Sequence, residues 1–523
     1  MSLSRSIATV GGYTMVSRLL GFTRDILIAA FLGAGLVSDA FFVAFKLPNF
    51  FRRLFAEGAF NAAFVPVFSG LLTNEGRDSA RAFASETFAV LLLTLLLFVT
   101  LFQIAMPWAM FGLAPGFAGD PEKFDLAVEL TRITFPYLLF ISLVSLMGGV
   151  LNSVGRFAAV AATPILPNLS LIAALLFLAP LLESEGHALA WGVAGAGVIQ
   201  FVWLAVAMWR AGMGLRLRRP RLTPRVRELL RLMVPGVIGA GVVQINLLID
   251  VVIASILPEG SISFLYFADR VNQLPIGVIG VAVGTALLPL LSRQVAAGDS
   301  EAANTSQNRA LEAGLVFTLP AAVALVIIAF PVVSVLFERG EFGADASRAT
   351  ALALMAYSLG LPAYVLIKVL TPGYFARKDM RTPVKIAILA VGVNITLNLI
   401  LIWPLQHVGL ALATAISAWL NAALLARGLR RRGHLRLDAR LRRRLPRIVF
   451  ASAVMGAGLA GGVLGFDAVA EQGGGIRILG LAVLIVGGGL LFAAVAHLTG
   501  AIRLGEVRGL LRSKAPPDQG DSS

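Results

Sequence analysis

Cysteine is absent from this chain, which excludes disulfides and thiolate metal sites, and the four histidines at 187, 407, 434 and 497 are not spaced as metal ligands. Charge is scarce as well. Only 14% of the residues are charged against 58% hydrophobic, and the mean hydropathy of +0.84 excludes an ordinary soluble domain. No nucleophile-and-base set or catalytic acid pair stands out, so neither an enzyme nor a bound cofactor is expected. A cleavable signal is not expected either: Arg18 and Arg24 interrupt the first apolar stretch, and no small-residue cleavage site follows a basic segment.

What is present is a succession of apolar runs of spanning length, since about 20 helical residues cross a hydrocarbon core about 30 Å thick. They lie near 7–32, 37–72, 84–112, 127–152, 159–181, 188–209, 229–257, 263–294, 309–337, 348–372, 384–403, 407–427, 446–466 and 476–499. The expected class is an all-α polytopic membrane protein of about fourteen transmembrane helices. The second and eighth runs are too long for straight spans, and Pro48 and Pro275 are expected to bend them.

The net charge of +15 would suggest nucleic acid in a soluble protein. Here the cations crowd into loops beside the spans, most densely at 210–227 and 427–447, as the positive-inside bias requires. Membrane orientation and attraction to anionic lipid account for them without a nucleic-acid partner. Loops after odd-numbered spans carry Asp120, Glu122, Asp125, Glu183, Glu185, Glu259, Glu338 and Glu341 and are expected outside, which places both termini in the cytoplasm.

An internal duplication organises the spans. Asp25-Ile-Leu-Ile-Ala-Ala recurs as Asp250-Val-Val-Ile-Ala-Ser, and each copy is followed by a helix reaching Leu47-Pro48 or Leu274-Pro275. At nearly the same lag, Phe64-Val-Pro-Val-Phe-Ser returns as Leu287-Leu-Pro-Leu-Leu-Ser. Two parallel six-helix repeats follow: an N-lobe over 1–226 and a C-lobe over 227–440, with an appended helix pair in 441–505 and a cytoplasmic tail over 506–523. Parallel repeats point to a transporter with its site between the halves, opening alternately to each side.

The informative residues are the charges inside these spans, because an ionised side chain at mid-bilayer costs roughly 3 kcal/mol on insertion scales. Arg18, Arg24, Arg52 and Arg270 form a candidate cationic cluster for a large anion, and a diphosphate suits the planar fork of arginine. At 100° per residue, Asp39, Lys46, Asn49, Arg53 and Glu57 share a polar stripe on the second span, while Arg18 and Asp25 share a face of the first. The alternative is that Arg52 and Arg53 snorkel to an interface while Arg18, Arg24 and Arg270 pair with Asp25, Asp39 and Asp269.

These same residues carry a resemblance. Arg24-Asp25, the run Ser38-Asp39-Ala40-Phe41-Phe42-Val43-Ala44-Phe45-Lys46-Leu47-Pro48-Asn49, Arg52-Arg53-Leu54-Phe55-Ala56-Glu57-Gly58 and Tyr266-Phe267-Ala268-Asp269-Arg270 resemble the signature of the MurJ (MviN) family, lipid II flippases of the multidrug/oligosaccharidyl-lipid/polysaccharide exporter superfamily. The resemblance covers the whole chain. It implies a V-shaped pair of six-helix lobes, a C-terminal groove for a polyprenyl tail, and a location in the bacterial cytoplasmic membrane. It further implies that Arg18, Arg24, Arg52 and Arg270 bind the headgroup of lipid II, supported by Asp25, Asp39, Lys46, Asn49, Arg53, Glu57 and Asp269. Some members bind sodium as a coupling ion, and the matching positions here are Asp250, Asn394, Asn398, the Leu410 carbonyl and Thr414. Asn398 departs from the pattern where a carboxylate occurs. Partners in the wall-synthesis machinery are a further implication. A flippase for another polyprenyl-linked glycan and an ion-coupled drug exporter stay open as alternatives, although the arginine surplus disfavours organic cations.

Overall fold

A computed structural model describes residues 3–54, 60–470 and 474–502, and its regular elements among them are all helical. The helices are α1 (Leu3–Leu32), α2 (Leu36–Phe51), α3 (Asn61–Asn74), α4 (Arg77–Leu113), α5 (Pro121–Thr134), α6 (Tyr137–Ser153), α7 (Phe157–Ala162), α8 (Ile165–Ala173) and α9 (Glu185–Arg210). There follow α10 (Pro224–Ser255), α11 (Ser261–Ala296), α12 (Ser300–Ile327), α13 (Ala329–Phe337), α14 (Ala344–Leu359), α15 (Leu361–Phe375), α16 (Arg381–Arg431), α17 (Ala439–Ala470) and α18 (Gly474–Leu498). Among the described residues, nine helical stretches are long and apolar enough to cross a membrane. Their outward faces are greasy: α4 leaves Leu97 64%, Ile104 66% and Trp108 72% exposed, which only lipid makes tolerable.

Local chemistry sets the helix starts. Asp120, Ser184, Thr223 and Asp299 cap α5, α9, α10 and α12 by accepting a backbone N–H three residues on, and Pro121 and Pro224 occupy the first helical position. The interruptions are equally specific. The expected second span is two helices with a π-helical turn at 52–54, four residues beyond Pro48, and such turns re-aim the side chains on them. The expected pair 384–403 and 407–427 is joined into α16 across a kink at Gln406, whose φ of 49° and ψ of −129° leave helical geometry. Gly409 makes the kink tight, since a Cβ there would overlap the Leu401 carbonyl oxygen.

Two compact units emerge. One comprises Met1–Phe267, Leu336–Ala349 and Ile395–Leu410; the other comprises Ala268–Val335, Thr350–Asn394 and Ala411–Ser523. In the first, the basic connection after α9 and the start of α10 are strapped to α4 and the turn before it: Arg225 bridges Glu75 at 2.9 Å, Arg218 bridges Glu86 at 3.3 Å, and Arg81 donates to the Gly214 carbonyl at 2.6 Å. These exposed pairs are worth at most about 1 kcal/mol each, so they position the loop more than they stabilise it. The end of α1 approaches the 339–341 segment closely enough that the Glu341 amide donates to Ala30 at 3.0 Å. Glycine is required on both sides, because a Cβ on Gly33 or Gly340 would overlap the opposing backbone, and both have positive φ.

In the second unit an apolar core gathers Leu287, Leu291, Val369, Tyr374, Leu425 and Leu429, and the Tyr374 hydroxyl donates to the Leu425 carbonyl at 2.8 Å. The α17–α18 pair packs through small residues: Gly458 and Gly462 receive Leu491 and Leu484, and Gly488 receives Leu459. A carboxylate ties this pair to α12. Buried Glu312 accepts from Arg309 at 2.8 Å, from Arg440 at 3.1 Å and from Arg444. Nearby, the Arg432 guanidinium and then the Thr382 amide hold the Asp379 carboxyl below the ordinary carboxylate range. That pairing stays intact above the unfolded value near about 4 and weakens only as pH falls below it.

Because Arg444 is itself only 10% exposed, removing Glu312 strands a cation, and breaking such a pair costs about 3–5 kcal/mol. Glu312→Ala should lower the thermal unfolding midpoint of the detergent-solubilised protein markedly, and Glu312→Gln by less; an unchanged midpoint for both would refute the anchoring role.

Candidate functional site

The candidate arginines of the first unit sit in different surroundings. Arg24 is the most constrained. Its Nε and Nη2 donate to one oxygen of Asp25 at 3.0 and 2.6 Å, and its Nη1 donates to Asn168 Oδ1 at 2.9 Å. Asn168, buried on α8, in turn donates to the Ser17 carbonyl at 3.1 Å, so α8 fixes both the course of α1 and the direction of its arginine. Asn168 lies over Gly21, where even a Cβ would meet its amide at an ordinary van der Waals distance of 3.6 Å. The Tyr266 hydroxyl donates to the same Asp25 oxygen at 3.1 Å.

Arg18, farther toward the start of α1, is exposed and makes no ion pair with any described residue. Arg52 is half-buried at the π-helical turn, where its Nε donates to Asn49 Oδ1 at 3.1 Å while Asn49 donates to the Phe45 carbonyl at 2.7 Å. Arg53 points outward, and Glu57 lies outside the described residues. Arg270 and Asp269 are half-buried on α11 in the second unit, with Gln273 donating to Asp269.

Asp39 behaves differently from the rest of its stripe. It is 1% exposed and accepts from Lys123 Nζ at 2.9 Å, from the Gly260 amide at 2.8 Å, from the Ser263 amide at 3.0 Å and from the Ser263 hydroxyl at 2.7 Å. A buried carboxylate survives only with such saturation. Lys123 also lies over the Phe117 ring at 4.5 Å, and beside the knot Phe42 stacks on Tyr266 at 3.9 Å while Phe267 meets Phe42, Phe337 and Phe342. The stripe is therefore not one continuous polar track: its Asp39 end is sealed between α2, α5 and the start of α11.

Sequence reasoning missed Lys123 and Asn168. Lys123 stands in an acidic loop where a lysine reads as solvated. Asn168 directly follows Pro167 in an apolar run, and that placement of an amide was the available signal.

Of the proposed sodium ligands, Asp250 accepts from the Asn398 amide at 2.9 Å and from Asn246 at 3.4 Å, with Lys46 in electrostatic range. In the second unit Asn394 donates to the Thr414 hydroxyl at 3.4 Å. Leu410 is buried. Asp250, Asn398 and Leu410 belong to the first unit and Asn394 and Thr414 to the second, and each of these residues carries an oxygen donor, Asp250 alone a carboxylate.

Against known proteins, a family model described as "Lipid II flippase MurJ" matches residues 28–467. The chain is 46% identical over 514 residues to a probable lipid II flippase MurJ of Rhizobium meliloti (strain 1021), covering 97% of this chain and 96% of that relative. It is 44% identical over 531 residues to the corresponding Rhizobium tropici protein, covering 100% and 99%. Among solved structures, "Lipid II flippase MurJ, inward closed conformation" superposes with a TM-score of 0.78 at 26% identity, covering 96% of this chain and 99% of that one. An inward-facing multidrug MATE transporter of the MOP superfamily shares the fold alone, with a TM-score of 0.68 at 15% identity over 82% and 98% of the two chains. With its family signature, its helical membrane architecture and near-complete coverage of close relatives all in agreement, this chain belongs to the lipid II flippase MurJ family, a family of transporters rather than enzymes.

Proposed function

We propose that this protein moves lipid II, an undecaprenyl-diphosphate-linked disaccharide-peptide, from the cytoplasmic to the outer leaflet of the cytoplasmic membrane by alternating access. The observation that carries this reading is the family match over residues 28–467. Arg18, Arg24, Arg52 and Arg270 bind the diphosphate, whose oxygens accept bidentate charge-assisted bonds. The fixed orientation of Arg24 by Asn168 and Asp25 supports this role, since a pre-aimed guanidinium loses less entropy on binding. Exposed Arg18 supplies charge without a competing acid among the described residues. The N- and C-lobes, 1–226 and 227–440, rock about the headgroup while the tail stays in lipid beside the C-terminal helix pair. The Asp39 knot with its aromatic neighbours is the outer gate, and both termini lie in the cytoplasm. Sodium, held by Asp250, Asn394, Asn398, the Leu410 carbonyl and Thr414, resets the cycle, and wall-synthesis proteins receive the product.

Four donors on one buried carboxylate make an all-or-none latch, because partial opening leaves a charge unpaired in a low-dielectric site. Closure around substrate then depends on differential contacts in the two states.

In proteoliposomes, Arg24→Ala and Arg270→Ala should each slow lipid II flipping on the order of tenfold or more, the worth of one charged hydrogen bond. The same vesicles with choline replacing sodium, and Asp250→Asn in sodium, should be slowed alike; activity retained throughout would remove the arginine and sodium assignments. Lys123→Met should shift crosslinking between the α5 and α11 starts toward the open state, and an unchanged crosslinking yield would remove the gate. Since the sequence has no cysteine, single substitutions report topology directly. Arg431→Cys should react with impermeant maleimide only from the cytoplasmic side and Glu122→Cys only from outside; the reverse pattern would invert the orientation.

A further inference from the structure

The first unit contains a groove of about 390 Å³, lined by none of the proposed headgroup residues, between α1, the turn joining α6 to α7, and α9. Its walls include Tyr13, Phe157, Trp203 and Ala207, and its lining carries two cations, Arg156 and Arg210, with no acid. Both arginines are exposed, and neither makes an ion pair with any described residue. This contrasts with Arg218 in the connection after α9 and Arg225 in the first turn of α10, which found Glu86 and Glu75. Gly155, at a φ of 75°, turns the chain back so that Arg156 stands at the groove. The Trp203 indole donates to the Ala159 carbonyl at 3.0 Å, which fixes the ring as part of the wall.

We propose that this groove is a binding site for one resident anionic phospholipid, its phosphate held by Arg156 and Arg210 and an acyl chain lying along the Tyr13, Phe157 and Trp203 wall. Charge complementarity selects the occupant. Two guanidiniums beside an apolar slot match a phosphate joined to a hydrocarbon chain, and aromatic rings with a polar edge are the side chains favoured where lipid headgroups meet acyl chains. Beyond its two cations the lining is mostly apolar and offers few groups to the sugars and peptide of the transported glycolipid's headgroup. A lipid seated here would brace α1 against α7 and α9, on the same helix that carries Arg18 and Arg24. The site is independent of which glycolipid is flipped.

Native mass spectrometry of the full chain in detergent, titrated with equal phosphatidylglycerol and phosphatidylethanolamine, should show phosphatidylglycerol retained at least fivefold over phosphatidylethanolamine. Arg156→Gln with Arg210→Gln should abolish that preference. Ala207→Trp, which fills the slot and leaves both arginines, should reduce phosphatidylglycerol adducts at least fivefold, and it stands in if the double variant does not fold. Arg442→Gln with Arg443→Gln, exposed on α17, should leave the preference unchanged. Retention of the preference in the groove variants would overturn the site, as would its loss in the α17 control or equal competition by undecaprenyl phosphate.

Discussion

An ionised side chain within a bilayer must find a partner, water or a ligand, and this constraint orders nearly every feature of the molecule. The chain answers it in graded ways. Asp39 and Glu312 are sealed and saturated with donors, which converts them into structural knots. Arg24 is paired yet aimed, and Arg18 and Arg53 are left exposed. A carboxylate that collects three or four donors cannot release one cheaply.

The candidate site thereby depends on its support. Arg24 would be an ordinary ion pair with its neighbour Asp25 were it not for Asn168, which also holds the Ser17 carbonyl and so couples side-chain direction to helix packing. The π-helical turn has a similar effect for Arg52 and Arg53: one is half-buried on Asn49 and the other points outward. Helix interruptions of this kind are tolerated at membrane depth where neighbouring groups satisfy the freed backbone.

Much of this was legible beforehand. The apolar runs coincide with helices, the divergence of Arg52 from Arg53 follows from their adjacency, and the signature residues point to the family that the relatives share. The pairing of acids was not legible. Asp39 shares a helical stripe with Lys46 and Arg53, yet its cation comes from Lys123 on α5, beyond any period a single helix displays. Likewise the kink at Gln406 follows Pro404 closely, but its backbone geometry depends on Gly409 meeting Leu401.

Composition and periodicity alone determined that this is a multi-pass helical membrane protein, because hydrocarbon demands long apolar helices with their backbone groups satisfied within them. The residue order of the signature segments also determined its family. Which charges are buried as knots, which are oriented and which stay exposed was decided only by tertiary structure. Neutralisation depends on distances of about 3 Å between residues that lie tens to hundreds of positions apart in the chain, and only packing brings those atoms together.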